Sequence, residues 1–290
     1  MTRVTLTRAR SNGRARALTA WHPGDCDVAG LRLHYVRSGG AKPPLICAHG
    51  VGDDGCCWTA VAEAFAPGYD VILVDARGHG RSSEPADGYD AAAQADDLRG
   101  LSAALELDSP VLVGHSMGAL TVLALAATTP ELPRALVLED PPPWWMPRDP
   151  KADGETRAQM RADMAAMKRK THRQLVAEQR RVAPHWPAAE IIRWAEAKQR
   201  MSPRVTEIFD APGGSAVEWS RELPRVRCPV LLVTGDPGRG ALATPEAIAE
   251  LGRLVPTLES VSLPEAGHSV RHDQRARYLD AVQAFLAALP

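Results

Sequence analysis

A serine hydroxyl is a weak nucleophile at neutral pH, so a serine that does chemistry must be exposed by its backbone and served by a nearby base. Ser116 lies in Gly114-His115-Ser116-Met117-Gly118, between the apolar run Val111-Leu112-Val113 and a segment rich in Ala and Leu. Small residues two before and two after a serine permit a cramped strand-to-helix bend that presents the hydroxyl, the pattern of a nucleophile elbow. Five residues can match by chance; the flanking apolar strand and helix make the match specific. The base is His268, in Glu265-Ala266-Gly267-His268-Ser269. It follows the last strand-like run, where a loop can return over the bend. His22, His172, His185 and His272 stand in polar or loop-like settings and read as surface imidazoles.

Acyl transfer also needs two donors aimed at the developing oxyanion, each worth about 3 to 4 kcal/mol when removed. One is the backbone N–H of Met117, at a helix N-terminus where the dipole favours negative charge. The other is expected from His49-Gly50-Val51-Gly52, with the N–H of Val51 the best candidate. No metal or organic cofactor is required by such a scheme, and the five cysteines, Cys26, Cys47, Cys56, Cys57 and Cys228, fit no metal-binding spacing.

The elements that must position these groups are readable as an alternation. Leu45 to Ala48, Val71 to Val74, Val111 to Val113, Ala135 to Leu138 and Val230 to Val233 are short, apolar runs rich in β-branched residues, the signature of strands covered on both faces. A weaker run spans Leu258 to Leu263. Segments at 60–65, 91–107, 119–127 and about 274–289 carry helical spacing, so the sheet is predicted to be parallel. Leu31, Leu33, Tyr35 and Arg37 alternate before Ser38-Gly39-Gly40 and read as an antiparallel edge strand. From Pro141 the rhythm breaks. Pro141-Pro142-Pro143 removes three ladder donors, and polar helical segments follow at 155–181 and 188–201.

These features predict an N-terminal extension at 1–27, an α/β core at 28–140 and 225–290, and a helical cap at 141–224. Residues 147–200 hold thirteen basic and seven acidic side chains, read as a solvated helix surface. The whole chain, 290 residues with 34 basic and 35 acidic side chains, lacks the cationic surplus that nucleic acid requires. It has no apolar stretch long enough to span a bilayer. The arginines at 3, 8, 10, 14 and 16 read as a frayed tail, without the apolar run of a secretory signal. An odd number of cysteines fits reduced thiols in a cytoplasmic protein. Oligomeric state is not readable from one sequence.

Order and spacing of several motifs carry a resemblance. His49-Gly50 before a loop, Asp75-Ala76-Arg77-Gly78-His79-Gly80-Arg81-Ser82 after the next strand, the 114–118 elbow and Gly267-His268 near the end together resemble the α/β-hydrolase superfamily over roughly residues 28 to 290. The resemblance implies an α/β-hydrolase fold, a mostly parallel central sheet flanked by helices with an inserted helical cap. It also implies a Ser-His-acid hydrolase. Asp75 and His79 belong to the shared pattern and read as structural.

The acid that orients the histidine is less direct. Most members place it three residues beyond a Gly that ends the penultimate strand; here that position is Gly238, and the slot is empty. Asp140, which follows the Ala135 to Leu138 run, occupies the place used by the branches that include N-formylmaleamate deformylase and the zearalenone lactonases. The assignment is Asp140, with Asp236 and Glu139 as alternatives. Trp58, Trp144 and Trp145 are expected to wall an apolar pocket for a small molecule, or alternatively to pin the cap to the sheet. Ester or lactone cleavage is the default reaction, amide cleavage the next, and carbon-carbon hydrolysis or a non-catalytic binding protein the alternatives.

Overall fold

The computed structural model describes residues 21–147, 150–209 and 217–289. An eight-stranded sheet runs in the order β1-β2-β4-β3-β5-β6-β7-β8. Its strands are β1 (His22–Val28), β2 (Leu31–Arg37), β3 (Pro44–Ala48), β4 (Asp70–Val74), β5 (Val111–His115), β6 (Ala135–Glu139), β7 (Val230–Thr234) and β8 (Leu258–Ser262). β1 and β2 pair antiparallel, as do β2 and β4, and every other pairing is parallel. The arrangement is that of an α/β hydrolase. The arginine-rich segment read as a frayed tail lies outside the described residues.

Burial explains which strands were visible in the sequence. Every residue of β4, β5, β6 and β7 is buried, so each reads as a continuous apolar run. The helices α1 (Thr59–Phe65), α2 (Ala91–Ala104) and α3 (Met117–Thr128) connect strands of the first half. α3 is apolar all round and buried along nearly its full length, because α2 packs on its outer side and the sheet on the inner. One expectation is corrected here. β2 is not the sheet edge; β1 pairs along its whole length, and all of β1 but Val28 falls within the segment expected to be an extension.

Between β6 and β7 the chain forms α4 (Pro150–Arg169), α5 (His172–Val182), α6 (Ala188–Arg200) and the short α7 (Trp219–Glu222). The single helical segment expected at 155–181 is two helices. Thr171 starts the second with a capping box, its hydroxyl accepting from the Gln174 N–H while the Gln174 side chain accepts from the Thr171 N–H. After β7 come α8 (Pro245–Leu254), β8, the short α9 (Val270–Asp273) and α10 (Arg275–Ala287). No helix among the described residues is long and apolar enough to cross a membrane.

Candidate active site

Ser116 lies between β5 and α3 with φ 51° and ψ −114°, a conformation that side chains other than glycine rarely adopt. The bend needs its flanking glycines for a measurable reason. A Cβ on Gly114 would lie 2.4 Å from the Gly118 carbonyl oxygen, and a Cβ on Gly118 would lie 2.2 Å from the Ala48 oxygen at the end of β3. The Ser116 N–H donates to the Glu139 carbonyl at 2.9 Å, which ties the bend to the end of β6. Met117 is the first helical residue, so its N–H has no intrahelical acceptor.

His268 is presented by the loop between β8 and α9. Its Nδ1 lies 2.6 Å from Asp140 Oδ2. Asp140 is wholly buried, directly follows β6 and has φ 42°. Its carboxylate also accepts the N–H of Leu242 at 2.8 Å on Oδ2 and that of Ala243 at 3.1 Å on Oδ1. The segment after β7, where the acid commonly stands, thus supplies donors that fix an acid arriving from β6. With Nδ1–H donated to Asp140, Nε2 keeps its lone pair. Ser116 and His268 line one cavity of about 330 Å³. No hydrogen bond joins Ser116 Oγ to the ring here, and such contacts commonly tighten only with substrate in place.

The two other acids are engaged elsewhere. Asp236 Oδ1 accepts the Gly238 N–H at 2.8 Å and starts the short turn that follows β7. Glu139 is fully buried and accepts both the backbone N–H of Arg271 at 2.8 Å and its guanidinium at 2.9 Å. Arg271 also approaches Asp53 Oδ2 at 3.6 Å and stacks 4.2 Å above the Trp58 ring. Asp53 in turn pairs with Lys198 of α6 at 2.6 Å. Burial works to raise the Asp53 carboxyl, but Lys198 and Arg271 outweigh it and hold it at about 2. Four buried charges of alternating sign therefore tie together the loop after β3, the end of β6, the segment bearing His268, and α6. Sequence reading missed Arg271 and Lys198, and the only local signal was an arginine three residues past His268.

The loop after β3 forms a tight turn in which the Asp53 N–H donates to the Gly50 oxygen at 3.1 Å. Gly52, third in that turn, has φ +76°, while Val51 does not have positive φ, the pattern of a type II turn. The Gly52 N–H donates to His79 Nε2 at 3.0 Å. His79 Nδ1 lies 2.9 Å from the Arg77 oxygen, so the ring is the neutral Nδ1–H tautomer. Burial, with His49 beside it, pushes His79 down to about 3. The N–H of Val51 takes no acceptor among the described residues, and Val51 lines the cavity. His115 Nε2 donates to the His268 carbonyl at 3.1 Å and so steadies the loop carrying that ring. Burial lowers His115 well below the ordinary imidazole range, with Arg271 adding to the effect.

The tryptophans expected to wall the pocket do not line it. Trp58 is fully buried beneath Arg271, and Trp145 donates its indole N–H to the Ala247 oxygen at 2.9 Å, fixing the chain against α8. Trp144 packs between the main core and the apolar cluster around Met117 without reaching the cavity surface. The wall is instead Trp186, Trp194 and the α4 residues Met160, Met164 and Met167. Those methionines recur at positions i, i+4 and i+7, a one-face stripe that was legible in the sequence. His272, expected at the surface, is buried against the same cavity, stacked 4.2 Å from Trp186 and bonded through Nδ1 to Glu190 at 2.5 Å. Glu190 also pairs with Arg275, and Asp273 accepts from Trp186 at 2.8 Å and from the Gly267 N–H at 2.8 Å. Helix α6 and the turn before it are thereby fastened to the segment that carries His268.

Among the described residues no group of three or more His, Cys, Asp and Glu side chains could hold a metal ion. The five cysteines are free thiols. Burial pushes Cys47 and Cys57 up, away from thiolate chemistry.

The chain is similar to known proteins over most of its length. The sequence profile of the alpha/beta hydrolase family matches residues 45–281. N-formylmaleamate deformylase of Pseudomonas putida is 32% identical over 280 residues, covering 91% of this chain and 96% of that protein. The 2-(acetamidomethylene)succinate hydrolase of Mesorhizobium japonicum is 28% identical over 271 residues, covering 90% and 94%. A crystal structure of E-2-(acetamidomethylene)succinate hydrolase superposes with a TM-score of 0.77 at 25% identity, covering 93% of this chain and 100% of the other. The chain belongs to the alpha/beta hydrolase family and is a hydrolase.

Proposed function

We propose that the protein is a serine hydrolase of small molecules that works through an acyl-enzyme on Ser116. The observation that carries this reading is the 2.6 Å contact from His268 Nδ1 to a wholly buried Asp140, with the same ring facing the cavity of a serine held at φ 51°. Ser116 Oγ attacks the substrate carbonyl and passes its proton to His268 Nε2. Asp140 holds the productive tautomer and stabilises the imidazolium. The N–H groups of Val51 and Met117 donate hydrogen bonds to the carbonyl oxygen as negative charge develops on it. Nε2 then protonates the leaving group, and water, deprotonated by the same nitrogen, releases the acyl group. No cofactor enters these steps. The helical insertion at 141–224 acts as the cap over this site.

The bond cleaved is an ester, lactone or amide. The methionine stripe and two tryptophans favour an apolar acyl portion, since thioether side chains adapt to varied shapes. Amide cleavage gains support from the two named relatives, whose substrates carry formylated or acetylated nitrogen. Five free thiols fit a reducing, cytoplasmic setting. A panel of p-nitrophenyl esters, lactones and N-acyl amides separates the bond classes, with labelling of Ser116 by a fluorophosphonate as the class-independent control. Turnover on any of these that vanishes in Ser116→Ala supports the proposal. A folded protein that neither labels nor turns over any of them is instead a binding protein with this fold.

A further inference from the structure

Lys198 stands in the last turn of α6, in the insertion, yet its ammonium ends inside the loop after β3. It donates to the Gly52 carbonyl at 2.9 Å and to Asp53 Oδ1 at 2.6 Å, and its side chain is only 6% exposed. The Trp194 ring lies 5.0 Å away and shields it on one side. This lysine faces the nucleophile cavity but is not offered to a ligand as a free charge. The Asp53 carboxylate neutralises it, and Arg271 holds that carboxylate from the far side at 3.6 Å.

The turn that Lys198 grips is the one bearing the Val51 N–H. Three contacts set its shape. The Asp53 N–H closes it on Gly50 at 3.1 Å, and His79 takes the Gly52 N–H at 3.0 Å, both from within the sheet domain. The third contact is Lys198, the one of these three that comes from the insertion; one residue past the turn Arg200, also of α6, pairs with Asp54 at 2.6 Å and anchors the same loop. The central peptide of the turn carries the Gly52 N–H that His79 holds, but a glycine at φ +76° still leaves the following peptide free to turn about Gly52, because glycine populates both signs of φ. A cationic donor on the Gly52 carbonyl opposes any movement of that carbonyl, and charge-assisted bonds are roughly twice as strong as neutral ones.

We propose that Lys198 is a positioning residue for the oxyanion turn, so that α6 must be docked for the Val51 N–H to face the reacting carbonyl. The inference rests on the acyl-transfer reading above. An oxyanion exists only in the transition state, so loss of this support lowers kcat and leaves KM nearly unchanged. A carboxylate-binding lysine would do the reverse, raising KM for anionic substrates.

The test compares wild type, Lys198→Met and Lys198→Arg on one p-nitrophenyl ester, alongside the rate of fluorophosphonate labelling and the affinity for an alkyl boronic acid that forms a tetrahedral adduct on serine. Lys198→Met is expected to lose about 30- to 100-fold in kcat, the scale of an angstrom's misplacement or part of one oxyanion donor, with KM within about threefold. Labelling rate and boronic-acid affinity fall by a similar factor, and Lys198→Arg recovers most of each. Circular dichroism and thermal midpoint check the fold; should Lys198→Met not fold, Lys198→Leu, which likewise has no donor for the Gly52 carbonyl, carries the same comparison. A kcat within about threefold of wild type, or a loss confined to KM, overturns the inference while wild-type labelling leaves the hydrolase reading standing. Wild-type protein that does not label overturns both.

Discussion

Replacing Asp140 with Asn keeps the shape of a wholly buried side chain and removes its charge, which isolates what the carboxylate does for His268. The surrounding donors make the outcome calculable. Oδ2 faces His268 Nδ1 at 2.6 Å and the Leu242 N–H at 2.8 Å, and Oδ1 faces the Ala243 N–H at 3.1 Å. An amide has one oxygen for these three donors. With its NH₂ toward Ala243, the ring keeps its tautomer but loses the anion that stabilises the imidazolium. With its NH₂ toward His268, the amide donates to Nδ1, the proton moves to Nε2, and the ring cannot accept from Ser116. Either orientation sets one N–H against another. The matching change in a serine protease costs about 10⁴-fold in turnover, so Asp140→Asn is expected to lose about 10³- to 10⁴-fold in kcat, or about 4 to 5.5 kcal/mol of transition-state stabilisation. Asp236→Asn keeps an oxygen for the Gly238 N–H and should stay within about threefold of wild type. Steady-state kinetics on a p-nitrophenyl ester, with thermal midpoints as a fold control, reads both variants. Comparable loss in the two, or a larger loss in Asp236→Asn, would refute the assignment of the acid.

Two further outcomes follow from the buried charges and imidazoles. Glu139→Ala strands the Arg271 guanidinium, leaving it the 3.6 Å approach to Asp53 and the face of the Trp58 ring, and should cost about 3 to 5 kcal/mol in urea unfolding; a cost below about 1 kcal/mol would mean that this pair does not hold the site together. His79 is held at about 3 in the folded protein against an ordinary 6.5, so the unfolded chain binds the extra proton between those values. Its contribution to stability is complete above pH 6.5 and declines as pH falls toward 3. Between pH 7 and pH 5 the wild type should therefore lose about 2 kcal/mol more than His79→Gln, and parallel pH profiles for the two would contradict the neutral tautomer.

How far the sequence reached depended on what each residue's role is encoded by. The buried strands β4 to β7 announce themselves because both faces are covered, and the 114–118 bend because its glycines are forced by backbone contacts at 2.4 and 2.2 Å. β1 did not, since His22-Pro23-Gly24-Asp25-Cys26-Asp27-Val28 lies mostly exposed at the sheet edge and carries no apolar run. The meeting of His268 with Asp140 was legible from the empty position at Gly238 and the acid at the end of the neighbouring strand. That Leu242 and Ala243 would supply donors to Asp140 was not, because backbone N–H groups leave no mark in a sequence. Lys198 and Arg271 resembled any surface cations; only the fold brings Asp53 between them. The tryptophans misled for a related reason. Composition shows that an indole is present, but not that Trp58 lies under a guanidinium while Trp186 and Trp194 face the cavity.

The claim on which the rest depends is a covalent acyl group on Ser116, and rapid acid quench of p-nitrophenyl acetate turnover followed by peptide mass spectrometry measures it directly. A burst of about one p-nitrophenol per protein, with one acetyl group on the peptide containing Ser116 and none in Ser116→Ala, is the expected result. Turnover that persists in Ser116→Ala, or an acetyl group carried on any other residue, would contradict it.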